Sequence, residues 1–226
     1  HPIDLREAIA VLQYTGGTTG LPKGAMLTHA NLSSATAQYV ETTHTQPQLL
    51  DEGHERILAV LPPFHIYALT VNMLMGLRIG AELILHTRFD AAAVVKDICE
   101  KKVTVFPGVP TMYVAVNNYP GVRRFGLKSI RACVSGAAPL PVEVQEAFEK
   151  LTRGKLVEGY GLTEASPVTH ANPIYGQRKT GSIGVPVPDT YNVYSAIGTC
   201  AAPGTYTRIG TGVAGSPYVD NTVSGG

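Results

Sequence analysis

The sequence lacks most of the features that mark secreted, membrane-spanning or nucleic-acid-binding proteins. Its three cysteines, Cys99, Cys133 and Cys200, are odd in number and widely spaced, which argues against a disulfide framework and favours a reducing compartment. The longest apolar segment without a charge or a histidine runs only from Ile66 to Leu77, which is too short to span a bilayer. A net charge of +1 gives no reason to expect a nucleic-acid partner.

Several local patterns are missing as well. The chain has no tryptophan, its seven histidines are scattered, and no spacing of cysteine and histidine resembles a zinc site. It carries no secretory signal, and it begins at His1 rather than at a methionine. We therefore expect the sequence to be part of a longer polypeptide that stays in the cytoplasm.

The residues that are present predict an α/β domain with a substantial core. Hydrophobic residues make up 44% of the chain, and short apolar runs alternate with segments of helical periodicity. The predicted strands cover residues 9–14, 57–61, 82–85, 103–106, 130–134 and 156–158. The predicted helices cover residues 30–40, 67–77, 91–101, 109–118 and 142–151, with Thr28 and Asp90 as N-caps of two of them. This alternation favours largely parallel strand pairing, with ligands bound beyond the carboxyl ends of the strands.

The stretch after the first predicted strand has the composition of a polyphosphate site. It reads TGGTTGLPKG over residues 15–24, so glycines can expose backbone N–H groups while threonine hydroxyls and Lys23 add donors and positive charge. A flexible surface loop would also contain many Gly and Thr residues, but the preceding strand and the Pro-Lys-Gly ending favour phosphate binding. The stretch is not a Walker A loop, because Lys23 lies between Pro22 and Gly24 instead of before a serine or threonine.

Two shorter segments also follow predicted strands. In the segment PPFH, His65 stands beside an aromatic residue, although a buried histidine more often only satisfies local hydrogen bonds. The segment SGAAP at residues 135–139 offers small residues and free backbone groups against which a flat ring could pack. A plain strand-to-helix turn is the alternative interpretation of this second segment.

A fourth segment, EGYGLTE at residues 158–164, combines groups suited to a nucleotide and a metal. Tyr160 between two glycines would form an aromatic plate with space on either side, and Thr163 offers a hydroxyl. Glu164 is a hard oxygen ligand of the kind that Mg²⁺ takes together with phosphate and water. The alternative is a surface turn with a solvated glutamate.

In this order and spacing the four segments resemble the adenylate-forming superfamily, which contains acyl-CoA synthetases, luciferases and peptide-synthetase adenylation domains. The resemblance covers about residues 1–190, including GSIGVPVPDT at 181–190. The segment LTHANL at 27–32 and the run from 164 to 190 are most similar to bacterial long-chain fatty-acid–CoA ligases. The resemblance implies part of a large AMP-binding N-terminal domain, in which β-sheets are flanked by helices, without the small C-terminal domain.

The family resemblance assigns roles residue by residue. It implies that the ATP phosphates contact Thr15, Gly16, Gly17, Thr18, Thr19, Gly20 and Lys23. It implies that the rest of the nucleotide contacts Gly136, Ala137, Ala138, Glu158, Gly159, Tyr160, Gly161 and Thr163. Within that second set, Tyr160 stacks on adenine and Thr163 contacts the α-phosphate. The resemblance also places Mg²⁺ at Thr15 and Glu164, and His65 beside the carboxylate and acyl pocket, so that the expected catalytic residues are Lys23, Thr163, Glu164 and His65.

The implied reaction joins a fatty carboxylate to coenzyme A through an acyl-adenylate formed from ATP. The expected partner is a fatty acid rather than nucleic acid, with peripheral membrane contact for a lipid substrate. Two alternatives stay open: a catalytically inactive fragment that binds nucleotide, and an adenylating enzyme for an aryl or amino acid. Amino-acid activators usually carry an aspartate soon after the PPFH segment, and residues 66–77 contain no acid, which favours an uncharged acyl tail.

Some positions depart from the family pattern. Residues 191–226 contain seven glycines, only two charges, Arg208 and Asp220, and no Leu, Met or Phe. They contain Thr-Gly-Val at 211–213 where the family has a ribose-binding aspartate after Thr-Gly. We expect this atypical Gly-rich tail to be foreign to the family, with a disordered tail and an irregular β segment as the alternatives. Leu69 stands where some long-chain members carry a gating tryptophan.

Overall fold

The structure of the chain, a computed structural model, describes residues 3–15, 23–44, 50–187, 190–199 and 202–214. The strands are β1 (Ile9–Thr15), β2 (Lys23–Thr28), β3 (Arg56–Ala59), β4 (Glu82–Leu85), β5 (Ala132–Ser135), β6 (Lys155–Gly161), β7 (Val168–Ala171), β8 (Val185–Pro186), β9 (Thr190–Thr199) and β10 (Ala202–Ala214). The α-helices are α1 (His29–His44), α2 (Met75–Arg78), α3 (Ala91–Glu100), α4 (Pro110–Asn117) and α5 (Val142–Thr152). A π-helix, Ala68–Leu74, precedes α2, and 3-10 turns occupy Val122–Arg124, Leu127–Ser129 and Thr163–Ala165.

A parallel sheet forms the centre of the fold. Strand β3 pairs in parallel with β4, and β5 pairs in parallel with β6. Val105 joins the two pairs through parallel bridges to Ile57 in β3 and to Ala132 in β5. The order across the sheet is therefore β4, β3, the Val105 segment, β5 and β6, which confirms the predicted α/β class.

Residues 103–106 do not form the regular strand that their apolar pattern predicted. Thr104 and Val105 both direct their N–H groups at the Arg56 carbonyl, at 2.9 and 3.1 Å, and the proline at 107 has no N–H to continue the ladder. Only Val105 pairs with strands on both sides. The predicted strand is wrong in extent because these two features interrupt it, although the segment lies within the sheet.

The strands outside the central sheet pair in antiparallel fashion, which the prediction of largely parallel pairing did not include. Strand β1 pairs with β2, the end of β6 with β7, β7 with β8, and β9 with β10. Strand β6 runs on to Gly161, three residues beyond its predicted end, because its last residues pair with β7. The described backbone after residue 190 forms β9 and β10, while the division of the chain into residues 1–190 and a foreign tail stays a prediction.

Helices lie on both faces of the parallel sheet. Alternate strand residues face opposite ways, so that Leu58, Cys133 and Leu156 join a core with α3, α4 and α5, while their neighbours join a core with α1 and the π-helix. The first core contains three tightly packed rings, with centroids of Phe106 and Tyr113 separated by 5.2 Å and those of Tyr113 and Phe148 by 5.0 Å. This packing fixes β5 and β6, whose carboxyl ends carry the candidate site.

Two predicted helix caps are confirmed. At the start of α1 the Asn31 N–H donates to Thr28 Oγ1 at 3.2 Å, and the Thr28 N–H donates to Asn31 Oδ1 at 3.0 Å. At the start of α3, Asp90 Oδ1 accepts the Ala93 N–H at 2.8 Å. The predicted helix over 67–77 also forms, but it is π-helical over Ala68–Leu74.

Two expectations from composition concern cysteines and membrane spans. Cys99 and Cys133 are free thiols, and Cys200 lies outside the described residues. None of the helices that the structure describes combines the length and the apolarity that a membrane crossing requires.

Candidate functional site

The Gly-rich stretch connects two antiparallel strands. Thr15 at the end of β1 stands opposite Lys23 at the start of β2, and Thr15 Oγ1 donates to the Lys23 carbonyl at 3.3 Å. The predicted phosphate contacts Gly16, Gly17, Thr18, Thr19 and Gly20 lie outside the described residues, so the structure places only the two ends of the loop. In a Walker A loop the helix begins at the lysine, whereas here β2 intervenes and α1 begins at His29.

The antiparallel pair of β1 and β2 is hydrogen-bonded to the PPFH segment, residues 62–65. Gln13 of β1 donates from Nε2 to the Phe64 carbonyl at 2.6 Å, one residue before His65. The His65 ring is oriented by its own backbone, because the Tyr67 N–H donates to His65 Nδ1 at 3.2 Å. Since Nδ1 accepts this bond, a neutral His65 carries its proton on Nε2, which leaves that nitrogen as a donor.

A cleft of about 250 Å³ lies beyond the carboxyl ends of β5 and β6. It brings together residues from three of the predicted segments, namely His65, Gly136, Ala137, Gly159, Tyr160, Gly161 and Thr163. Ligands bind at this edge of parallel sheets, so the position agrees with the expectation from strand order. Of the other predicted site residues that the structure describes, Thr15, Lys23, Ala138, Glu158 and Glu164 lie outside the lining of this cleft.

The cleft wall contributed by the turn after β5 has a constrained backbone. Gly136 is buried against the ring of Tyr67, and a Cβ added to it would lie 3.3 Å from Tyr67 Cε1. Ala137 adopts φ of +67°, in the left-handed region that residues other than glycine rarely occupy. Such conformations persist only where the surroundings enforce them, and they concentrate at functional sites.

Tyr160 lies inside strand β6 rather than in a loop. It pairs with His170 of β7, and the two rings are in edge contact at 6.4 Å. The flanking glycines do not provide open space: a Cβ on Gly159 would lie 3.2 Å from Val134 Cγ1, and one on Gly161 only 2.2 Å from the Pro167 carbonyl oxygen. The sequence-based interpretation of these glycines was wrong, because close approach of neighbouring chain segments requires them. The Tyr160 side chain is still 45% exposed and lines the cleft.

The 3-10 turn Thr163–Ala165 presents Thr163 to the cleft and leaves Glu164 exposed. Strand β2, which begins at Lys23, lies close to this turn and therefore to Glu164, the predicted metal ligand. Among the described residues no group of three or more His, Cys, Asp or Glu side chains could hold a metal by itself. The exposed carboxylate of Glu164 nevertheless fits Mg²⁺, which takes most of its ligands from phosphate and water. The hydroxyl of Thr15, the other predicted ligand, donates to the Lys23 carbonyl.

Glu158 does not line the cleft but is hydrogen-bonded to the segments beside it. Its Oε2 accepts the Leu140 N–H at 3.3 Å, and its backbone carbonyl accepts the Asn172 N–H at 3.1 Å. Asn172 also holds the following loop, because its Oδ1 accepts the Lys179 N–H at 3.2 Å. These bonds give Glu158 a role in fixing the turn after β5, and its contact with a nucleotide stays a prediction.

Arg178 fixes the same loop to helix α5. Its two terminal nitrogens contact the two carboxylate oxygens of Glu149 at 2.5 and 2.7 Å, and Glu149 Oε1 also accepts the Leu156 N–H at 2.9 Å. Burial favours the neutral carboxyl, but these bonds outweigh it and hold the pKa of Glu149 below its ordinary value.

Replacing Arg178 with glutamine should lower the free energy of unfolding by about 2 kcal/mol at neutral pH, the scale of a hydrogen bond to a charged group. A group whose pKa is depressed in the folded state stabilises above its unfolded pKa and loses that effect as pH falls. The difference between the wild type and Arg178→Gln should therefore shrink below a pH of about 4. Chemical denaturation at several pH values measures it, with exposed Arg153→Gln as the control. An equal difference at every pH would contradict this account.

Six lining residues of the cleft were not predicted as site residues, although Leu162 lies within the EGYGLTE segment: Ile66, Tyr67, Val134, Leu162, Pro167 and Val168. They are ordinary apolar and aromatic residues that only the fold brings to the cleft. For Ile66 and Tyr67, their position directly after His65 was the one available indication.

The chain matches known proteins over most of its length. Residues 1–194 match the sequence profile of the AMP-binding enzyme family. A long-chain-fatty-acid–CoA ligase of Bacillus subtilis is 50% identical over 203 residues, which are 89% of this chain and 36% of that protein. A 4-coumarate–CoA ligase of Humulus lupulus is 43% identical over 169 residues, which are 74% of this chain and 30% of that protein.

Solved structures share the fold. The long-chain-fatty-acid-CoA ligase of Archaeoglobus fulgidus has a TM-score of 0.72 and 26% identity, over 84% of this chain and 38% of that one. ATP-bound MatB from Rhodopseudomonas palustris has a TM-score of 0.69 and 28% identity, over 81% of this chain and 35% of that one. The chain thus spans about a third of the length of the relatives it matches. Because the profile covers 194 of its 226 residues, the chain belongs to the AMP-binding enzyme family, the adenylate-forming enzymes.

Proposed function

We propose that the complete protein is an ATP-dependent ligase that activates a fatty carboxylate as an acyl-adenylate and then forms its thioester with coenzyme A. The observation that carries the proposal is the cleft at the carboxyl edge of β5 and β6, where residues from three separate predicted segments meet. The 50% identity to a long-chain-fatty-acid–CoA ligase supports the fatty-acyl substrate.

The residues of the chain have distinct proposed tasks. The turn containing Gly136 and Ala137 and the exposed face of Tyr160 bind the adenine ring, while Thr163 donates to the α-phosphate. His65, with Nδ1 occupied by the Tyr67 N–H, presents its Nε2 proton to the substrate carboxylate and orients that group for attack on phosphorus. Lys23 and the loop before it bind the β- and γ-phosphates. Mg²⁺, when bound at Glu164 and Thr15, would supply neutralisation of phosphate charge.

The substrate class follows from the apolar part of the cleft. Ile66, Val134, Leu162 and Val168 line it beside His65 and offer no charge to hold a substrate amine. This lining favours an acyl group over an amino acid, in agreement with the absence of acidic residues from 66 to 77. The same proposal includes a cytoplasmic location with peripheral membrane contact for a lipid substrate.

A hydroxylated aryl carboxylate is the second candidate, and Thr70 is the observation that favours it. Thr70 Oγ1 is buried and has no hydrogen-bond partner among the described residues. It borders a narrow crevice that shares Pro167 and Val168 with the cleft. Buried polar atoms are normally satisfied, and a hydroxyl on the acyl group would bond to this oxygen if the crevice, which has no room for a water molecule in this structure, widened on binding. The 43% identity to a 4-coumarate–CoA ligase agrees with this alternative.

Thioester formation on a panel of carboxylates tests these substrate classes. The complete gene product is incubated with ATP, Mg²⁺, coenzyme A and palmitate, 4-coumarate, benzoate or phenylalanine, and the thioesters are quantified by mass spectrometry. We expect palmitoyl-CoA as the main product. A preference for 4-coumarate would support the aryl alternative, and product from none of them would contradict the proposal.

We also propose that the 226-residue chain alone binds nucleotide without completing the reaction. It spans about a third of the length of its relatives, and its sequence contains no Thr-Gly-Asp, the context in which the family resemblance implies a ribose-binding aspartate. Thioester formation by this chain alone would contradict that proposal.

A further inference from the structure

Tyr67 connects the two walls of the cleft. It lies two residues after His65, and its own side chain lines the cleft although it is only 7% exposed. Its hydroxyl donates to the Val134 carbonyl at 2.7 Å, and its ring packs against Gly136. One side chain therefore contacts both the segment that carries His65 and the strand that leads into the turn with Gly136 and Ala137.

The Val134 carbonyl is an unusually well-supported acceptor. Besides the Tyr67 hydroxyl it accepts the Gly108 N–H at 3.1 Å. The Tyr113 hydroxyl lies 3.0 Å away and shares its single proton between this carbonyl and the Phe106 carbonyl at 2.8 Å. Burial raises the pKa of the Tyr67 hydroxyl well above its ordinary value, so the group keeps the proton that it donates. Removing the Tyr67 hydroxyl leaves the Gly108 N–H and the shared Tyr113 proton on this carbonyl, which avoids an orphaned buried acceptor.

The turn that follows Val134 depends on its surroundings. Ala137 holds a left-handed backbone conformation. Gly136 lies so close to the Tyr67 ring that an added Cβ would be 3.3 Å from Tyr67 Cε1. A strained backbone of this kind relaxes when a neighbouring support is removed. Tyr67 is the support that faces the cleft, whereas Tyr113 is fully buried and does not line it.

We propose that Tyr67 is a positioning residue that holds the turn of Gly136 and Ala137 in place against the segment that carries His65. The inference rests on the proposed function, because that turn is assigned there to the adenine ring. It implies that Tyr67 fixes the distance between the side of the cleft formed by Gly136 and Ala137 and the side formed by His65.

Replacing Tyr67 with phenylalanine keeps the ring against Gly136 and removes only the hydroxyl bond. We expect the KM for ATP to rise about fivefold, the factor that corresponds to one hydrogen bond of about 1 kcal/mol, with kcat changed less than twofold. The dissociation constant of ATP, measured by calorimetry without a carboxylate, should rise by the same factor. A loss of kcat with an unchanged KM would contradict the positioning role.

Tyr113→Phe is the matched control. It removes the hydroxyl whose one proton is shared between the Val134 carbonyl at 3.0 Å and the Phe106 carbonyl at 2.8 Å, and because Tyr113 is fully buried it should destabilise the fold at least as much. We nevertheless expect its KM and dissociation constant for ATP to stay within twofold of the wild type. A merely structural role of Tyr67 predicts the opposite ranking, with Tyr113→Phe showing the larger effect on ATP.

The wild type, Tyr67→Phe and Tyr113→Phe are all prepared as the complete gene product. ATP–pyrophosphate exchange and calorimetric ATP binding are measured on each of them. Equal effects of the two substitutions on ATP, or no effect of Tyr67→Phe, would overturn the inference while exchange by the wild type still supports the proposed function. ATP binding that weakens selectively in Tyr67→Phe, without exchange by the wild type, would sustain the inference and reject the proposed function. Absence of ATP binding by the wild type would reject both.

Discussion

Replacing Glu164 with glutamine is expected to slow Mg²⁺-dependent adenylate formation by at least tenfold, about 1.4 kcal/mol of transition-state stabilisation. Glu164 is exposed on the turn next to Thr163, and it makes no hydrogen bond or ion pair with the residues that the structure describes. The amide retains the shape of the side chain but loses the charge that a hard cation prefers. The measurement is the rate of ATP–pyrophosphate exchange as a function of Mg²⁺ concentration.

Glu146→Gln provides the control for this substitution. Glu146 is also an exposed glutamate, but it lies on helix α5 and does not line the cleft. We expect the control to exchange at the wild-type rate and both variants to unfold at the wild-type temperature. Unchanged exchange in Glu164→Gln at low Mg²⁺ concentration would reject the proposed metal contact.

Gly161→Ala should have the largest effect on the fold around the cleft. The added Cβ would lie 2.2 Å from the Pro167 carbonyl oxygen and 2.7 Å from its carbon, and backbone atoms cannot rotate away as a side chain can. We expect a loss of about 3 kcal/mol of unfolding free energy, the upper range for overpacking. Exchange activity should fall as well, because the displaced segment includes Tyr160 and leads into Thr163.

Gly126→Ala tests whether any extra methyl group is tolerated. Gly126 has an ordinary φ of −84°, and the nearest atom to its added Cβ is Cys99 Sγ at 3.8 Å. We expect the free energy of unfolding of this variant to lie within about 0.5 kcal/mol of the wild-type value. If thermal and chemical denaturation placed the two alanine variants at equal stability, the close contact at Gly161 would be refuted.

The parts of the fold that were predictable from sequence are those fixed by local chemistry. The caps of α1 and α3 follow from Thr28 and Asp90, whose side-chain oxygens accept nearby N–H groups. Strands β4 and β5 follow from short apolar runs. The Pro-Lys-Gly ending of the Gly-rich stretch correctly excluded a Walker A architecture, and the structure places a hairpin there.

The parts that were not predictable depend on distant partners. Residues 103–106 look like a strand, but the shared acceptor at Arg56 and the missing N–H at 107 limit their pairing to Val105. The glycines on either side of Tyr160 predict open space beside the ring, yet Val134 and Pro167 approach them closely and both glycines pair with β7 as part of β6. The hydrogen bond of Tyr67 has no local signal, because its acceptor lies 67 residues further along the chain.

We propose above that the cleft between residues 65–67 and the ends of β5 and β6 belongs to an acyl-adenylating enzyme. ATP–pyrophosphate exchange by the complete gene product tests it most directly, because exchange requires the reversible formation of an acyl-adenylate and needs no coenzyme A. We expect exchange that depends on both Mg²⁺ and a fatty carboxylate, and we expect Glu164→Gln to slow it at least tenfold. Absence of exchange with every carboxylate of the panel would contradict it.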